Sequence, residues 1–168
     1  MSYTLPQLAA DIKSALKSNP GRAGKEAVCE IVSRALLDRE FVAEHLPQRA
    51  PGEMPRKVLY EDPDLGFCIC GHVHDGPAKA PPHDHGSSWA IYGQAEGESR
   101  MSDWRIVERG EPILVEKVED YVLKPGDARF YDVGDVHAVD RQAPVKLIRI
   151  EGANLDHIKR SHIKAKAS

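Results

Sequence analysis

Apolar residues recur at helical spacing early in the chain and at alternate positions later. Leu5, Leu8, Ala9, Ile12 and Leu16 form one stripe, with Thr4 placed to cap the N-terminus of that helix. Asn19-Pro20-Gly21 ends it. A second helix, starting near Gly24, puts Val28, Ile31, Val32, Ala35 and Leu36 on one face, and Cys29 within it reads as a core residue. Residues 4 to about 46 are therefore expected to be helical. The proline-rich run Pro47 to Pro55 is expected to be a linker.

From Lys57 the pattern changes to short β-type runs broken by Gly, Pro and Asp, which predicts a mainly β sandwich or barrel. Val58-Leu59-Tyr60 is the first strand. Phe67 to His74 alternates strictly, with Phe67, Ile69 and Val73 on one face and Cys68, Cys70, His72 and His74 on the other. Pro81 to Gly93 reads as one further strand, followed by Met101 to Val107, Ile113 to Lys117, Tyr121 to Lys124, Ala128 to Tyr131, Val136 to Val139 and Val145 to Ile150. The organisation expected is one structural domain: a helical segment over residues 1–50 packed on a barrel over 51–153, and a solvated tail over 154–168.

Composition narrows the functional classes. A chain of 168 residues with 41% hydrophobic and 29% charged residues can bury a single core. A net charge of −3 provides no footprint for nucleic acid or an anionic membrane, and no apolar run approaches the length of a bilayer span. Three cysteines, an odd number, argue against a disulfide framework and make the cytoplasm the expected compartment. Five of the eight histidines fall between His72 and His137.

That concentration directs attention to His83-Asp84-His85. On an extended strand two imidazoles spaced by one residue face the same point, and neutral imidazole is the common ligand of divalent transition metals. A third ligand has to come from elsewhere in the β region, and His137 follows a Pro125-Gly126-Asp127 turn, a short strand and a turn at Gly134. Cys68, Cys70, His72 and His74 do not make a competing zinc site, because ligands strung along one strand span about 20 Å and cannot converge on one ion.

Together, Pro82-x-x-x-Gly86 around His83 and His85, and Gly126-x5-Asp132-x-Gly134-x-x-His137, resemble the two conserved motifs of the cupin superfamily. The resemblance covers residues 57 to 152 and implies a double-stranded β-helix barrel with one metal held by His83, His85 and His137. Ala90 and Ile91 stand where many cupins carry a glutamate ligand. A three-histidine site without carboxylate is similar to the cysteine dioxygenase-like branch, whose bacterial members also resemble this chain over Arg56 to Phe67. In that branch an arginine matching Arg56 holds the substrate carboxylate. The resemblance thus implies Fe2+ as cofactor, with Zn2+, Ni2+ or Mn2+ as other metals for such a site, dioxygen and a small molecule as substrates, and a homodimer as the assembly expected of cupins. Three neutral ligands leave the ion its full double charge, which draws an anionic substrate atom onto it.

The branch's last strand carries Ser-x-His-x-Tyr facing the metal, and the matching positions here are Leu147, Arg149 and Glu151. The substrate pocket is therefore altered, and cysteine itself is not the expected substrate. Arg149 and Glu151 share strand parity and face the interior, where they must pair with each other or bind something. If they bind, Arg149 orients an anionic substrate and Glu151 is a general acid/base. His72 and His74 are candidates for supporting donors or proton shuttles, and Trp89, Tyr92, Trp104 and Tyr131 for pocket walls. The function expected is a small-molecule dioxygenase. A cupin dioxygenase cleaving a carbon–carbon bond in a diketone-type substrate, and a cupin that binds a metabolite without catalysis, remain as alternatives.

Overall fold

The structure, a computed structural model, describes residues 2–167. Its N-terminal segment folds into three helices, α1 (Leu5–Ser18), α2 (Arg22–Leu36) and α3 (Arg39–His45). The Thr4 side chain accepts from the Gln7 amide at 3.2 Å and the Gln7 side chain accepts from the Thr4 amide at 2.9 Å, which satisfies two orphan donors of α1. The helical run after Gly24 is broken by Asp38, whose carboxylate caps α3 by accepting from the amides of Glu40 and Phe41.

Ten strands follow: β1 (Arg56–Glu61), β2 (Cys68–His74), β3 (Ala78–His83), β4 (Ala90–Glu96), β5 (Ser99–Glu108), β6 (Ile113–Leu123), β7 (Ala128–Tyr131), β8 (Val136–Arg141), β9 (Val145–Glu151) and β10 (Ile163–Ala165). They form two five-stranded sheets, ordered β1-β2-β9-β4-β7 and β10-β6-β5-β8-β3. The sheet order alternates between early and late strands, so the chain winds as a double-stranded β-helix. The pairings are antiparallel except that of β10 with β6.

Strand alternation divides the core in two. On the first sheet Phe67, Ile69, Val73, Ile91, Phe130, Ile148 and Ile150 face outward and are buried against Leu8, Ile12, Val28, Val32 and Phe41 of the helices. Gly93 marks the closest approach, since a Cβ there would lie 2.6 Å from Val32 Cγ1. The opposite parity faces the barrel interior, where Ala90, Tyr92, Met101, Leu123, Tyr131 and Val139 pack together. Cys68 and Cys70 are buried free thiols on this inner face.

Three sequence expectations are corrected. The run Pro81 to Gly93 is two strands, because β3 ends at His83 and a turn through Gly86 leads into β4. Ile113 to Lys117 and Tyr121 to Lys124 are not two strands: all but Lys124 belong to β6, whose polar middle is paired to β5 through Asp103↔Glu119 and Trp104↔Lys117. The tail is folded: Leu155–His157 is a 3-10 turn with Leu155 buried, and β10 extends the second sheet. Among the described residues no helix is long and apolar enough to cross a membrane.

Candidate metal centre

His83 and His137 reach the same place by register. They are paired across β3 and β8, and a register shift between Ala80 and His83 absorbs Pro81-Pro82, which cannot donate to the ladder. His85 lies just beyond β3, in a turn held by Asp84, which accepts from the Gly86 amide at 3.2 Å. Gly86 adopts φ +61°, and the tail passes so close that a Cβ at Gly86 would meet Lys159 O at 2.5 Å. Two strands, one turn and the tail thus fix the three imidazoles.

One ring nitrogen from each of His83, His85 and His137 lies within 4.8 Å of the others. His83 Nδ1 is 2.7 Å from the Pro81 carbonyl, which can only accept, so Nδ1 carries the proton and Nε2 keeps its lone pair. The Nε2 atoms of His85 and His137 lie 3.0 and 3.1 Å from the Tyr92 hydroxyl. A phenol has one proton and cannot donate to both. The Nδ1 atoms of both rings are buried without a partner. Burial is also the main cause that holds the imidazoles neutral: it pushes His83 down to about 4, His85 to about 2, and His137 well below the ordinary histidine value, with Arg149 adding repulsion in each case. Neutral imidazoles with unused polar valence, converging from separate elements, fit a divalent transition metal. The group contains no carboxylate.

Of the three, His83 lines a cavity of about 510 Å³ whose walls also include His72, His74, Tyr92, Arg141 and Arg149. The Arg149 guanidinium stacks over the Tyr92 ring, 4.3 Å from its centroid. His72 Nε2 is buried without a partner, and its ring stacks on His74 at 6.2 Å. Tyr131 packs on His137 with ring centroids 4.1 Å apart.

Arg56 also lines this cavity, and it is engaged with Glu151 behind it. Glu151 is fully buried, and its oxygens lie 2.6 Å from Arg56 Nη2 and 3.2 Å from Arg56 Nε. Arg56 also donates to Asp156 at 2.9 Å and Asn154 at 3.2 Å. Arg149 Nη1 reaches Glu151 only at 3.7 Å. The Arg149–Glu151 pair inferred from parity is therefore present, and Arg56 joins it as the closer partner of Glu151. The Glu151 carboxylate and most donors of the Arg56 guanidinium are thus engaged with protein groups.

Trp104 is not brought to the cavity. It pairs with Val136 on the outward parity of β5, donates to Ser102 Oγ at 2.8 Å, and lies under Lys117. Trp89 packs against Phe130 and the helices, not in the cavity. Arg141, like Lys79 and Arg160, is a cavity residue that sequence reasoning missed. It follows His137 and Val139 at alternate positions on β8, so extending that strand by two residues would have found it.

No family model matches the sequence, and no curated protein is similar to it. Solved structures do resemble the fold. A cupin superfamily protein from Desulfitobacterium hafniense is 12% identical over 65% of this chain and 85% of its own, with a TM-score of 0.47. An uncharacterised conserved protein with a double-stranded β-helix domain from Klebsiella pneumoniae is 16% identical over 73% of this chain and 88% of its own, with a TM-score of 0.49. An oxalate oxidase bound to the substrate analogue glycolate is 14% identical over 58% of this chain and 46% of its own, with a TM-score of 0.44. Cupin proteins are among its structural neighbours. The assignment of the double-stranded β-helix rests on this chain's own strand order and register.

Proposed function

We propose that the protein is a metal-dependent dioxygenase of small anionic molecules, using ferrous iron on His83, His85 and His137. One observation carries the reading: three neutral imidazoles, two buried and that of His83 half-buried, with no carboxylate among them, converge beside a cation-lined cavity that His83 borders. A ferrous ion bound there would supply redox chemistry toward dioxygen and Lewis acidity toward an anionic donor.

The chain's own residues supply binding and proton control. Arg149, held flat by Tyr92, presents positive charge to the cavity and orients an anionic substrate. The Tyr92 hydroxyl is within hydrogen-bond reach of two of the histidines and holds a proton beside the reacting atom. Burial and nearby arginines keep His72 and His74 neutral, so each presents an uncharged hydrogen-bonding imidazole to the cavity. Glu151 acts through Arg56 and Arg149, positioning both. Because Arg56 is engaged by Glu151, Asp156 and Asn154, cysteine bound through that arginine is not the substrate we assign.

Oxygen uptake by iron-loaded protein, measured with a panel of thiols and diketones, tests the reading. Uptake with a non-cysteine thiol supports it as stated. Uptake only with enolisable carbonyls moves the reaction to carbon–carbon bond cleavage at the same centre. Ligand binding with no uptake for any compound would leave a metabolite-binding protein and sink the enzyme reading.

A further inference from the structure

The cavity beside the histidines carries more positive charge than its own carboxylates balance. Arg141 is 5% exposed. Its Nε donates to Ser99 Oγ at 3.2 Å, and its Nη2 is buried without a partner. Among the described residues it makes no ion pair. Arg149 is in a similar state: its Nε is buried without a partner, and its contact with Glu151, at 3.7 Å, is long. The one buried carboxylate of the group, Glu151, is held by Arg56 at 2.6 Å. A buried guanidinium without a counter-ion is costly, and a second one nearby raises that cost. Both line the same cavity as His72, whose Nε2 is a third buried, unpartnered polar atom.

Position says what would fill the gap. His137, Val139 and Arg141 alternate along β8, so Arg141 shares the inward face with a metal ligand. Four residues of strand separate Arg141 from His137 by about 13 Å, a span that the reach of an arginine side chain shortens to that of a small molecule. Arg149, stacked on Tyr92, lines the same cavity. A cavity of about 510 Å³ holds a metabolite-sized ligand.

We propose that Arg141, together with Arg149, holds the oxyanion head group of a small acid whose other end reaches the three histidines. The head-group site stands on the cavity and its unpartnered cations. Its use as a substrate anchor rests on the metal-dependent reading above. It differs from the place of Arg56, which lines the same cavity but already makes four hydrogen bonds to Glu151, Asp156 and Asn154.

Calorimetric titration of metal-free and zinc-loaded protein with succinate, its neutral analogue succinamide, and inorganic phosphate tests the proposal. Succinate or phosphate is expected to bind and succinamide not to bind. Arg141→Met should weaken binding by about tenfold or more, the worth of one charge-assisted contact, while Arg141→Lys retains part of it. The tighter of the two anions identifies the head group as carboxylate or phosphate. Failure of both anions to bind, equal binding of succinate and succinamide, or unchanged affinity in a folded Arg141→Met variant would overturn the proposal. Should Arg141→Met unfold, the succinate–succinamide comparison and Arg141→Lys decide the matter. Zinc uptake recorded alongside separates the two readings: anion binding without zinc uptake would remove the metal centre and leave the anion site.

Discussion

Replacing Tyr92 by Phe removes a hydroxyl that two buried imidazoles share and leaves every ligand atom in place. The Nε2 atoms would then join their own Nδ1 atoms as buried groups without partners. Metal-free Tyr92→Phe should unfold with about 1–3 kcal/mol less stability, measured by denaturant titration, while still taking up zinc. Glu151→Gln asks a different question of a neighbouring side chain. It leaves Arg56 with Asp156 and Asn154 but removes the charge that both Arg56 and Arg149 face, for a cost of about 2 kcal/mol. A positioning residue loses stability in this way and keeps the shape of the pH–rate profile. A general base would lose one limb of that profile with stability intact. Residue parity made most of this readable from the sequence. The alternation through Cys68, Cys70, His72 and His74, and through Leu147, Arg149 and Glu151, placed these side chains inside the barrel. Parity says which face a residue is on but not how far a distant arginine reaches, so the closer partner of Glu151 proved to be Arg56, from a strand at the edge of the sheet.

Among the elements, the turn between β3 and β4 depends on one backbone conformation. Gly86 combines φ +61° with contact against the tail, where an added Cβ would approach Lys159 O at 2.5 Å and Ile158 Cγ2 at 2.6 Å. Gly86→Ala should cost about 1–2 kcal/mol from the left-handed conformation alone. It should also displace the segment that covers His85. The expected outcome is weaker zinc binding together with faster tryptic cleavage at Lys159 and Arg160. Slower or unchanged cleavage would mean that the tail does not rest on this turn. The same tail shows where elements were not legible. Its basic, weakly apolar composition reads as a solvated end, yet Leu155, the backbone of β10 and the Asp84–Ser161 hydrogen bond at 3.5 Å tie it down. Strand β6 was misread for a related reason. Its middle is polar, with Val118 60% exposed at a register shift, and the paired backbone on either side, not a buried face, keeps it a strand. The His83 and His85 pair was found from a period-two argument that holds for His83 at the end of β3 but not for the turn carrying His85.

For the molecule as a whole, the barrel is a vessel for buried titratable groups, and this sets how stability responds to acid. His72 on β2 faces Arg149 of β9, Arg141 of β8, Arg56 of β1 and its strand neighbour His74. Burial first and these charges next hold it neutral, well below the ordinary histidine value. His74, half-buried, is pushed down to about 4 by burial and by Arg141, Arg149 and Arg49, with Asp75 opposing. In the unfolded chain both return to an ordinary value of about 6.5. Between the folded and unfolded values the unfolded chain binds more protons, so stability rises with pH across that interval. The contribution is complete above about pH 6.5 and is lost as pH falls toward about 4 for His74, and lower still for His72. A His72→Gln/His74→Gln variant removes two of these titrations and leaves His83, His85 and His137 in place. Its unfolding free energy, followed in metal-free protein from neutral pH downward, should decline less steeply than that of the unaltered chain. Parallel curves would place His72 and His74 in contact with solvent water, and with that the closed, cationic interior that both the metal centre and the Arg141 site depend on would be lost.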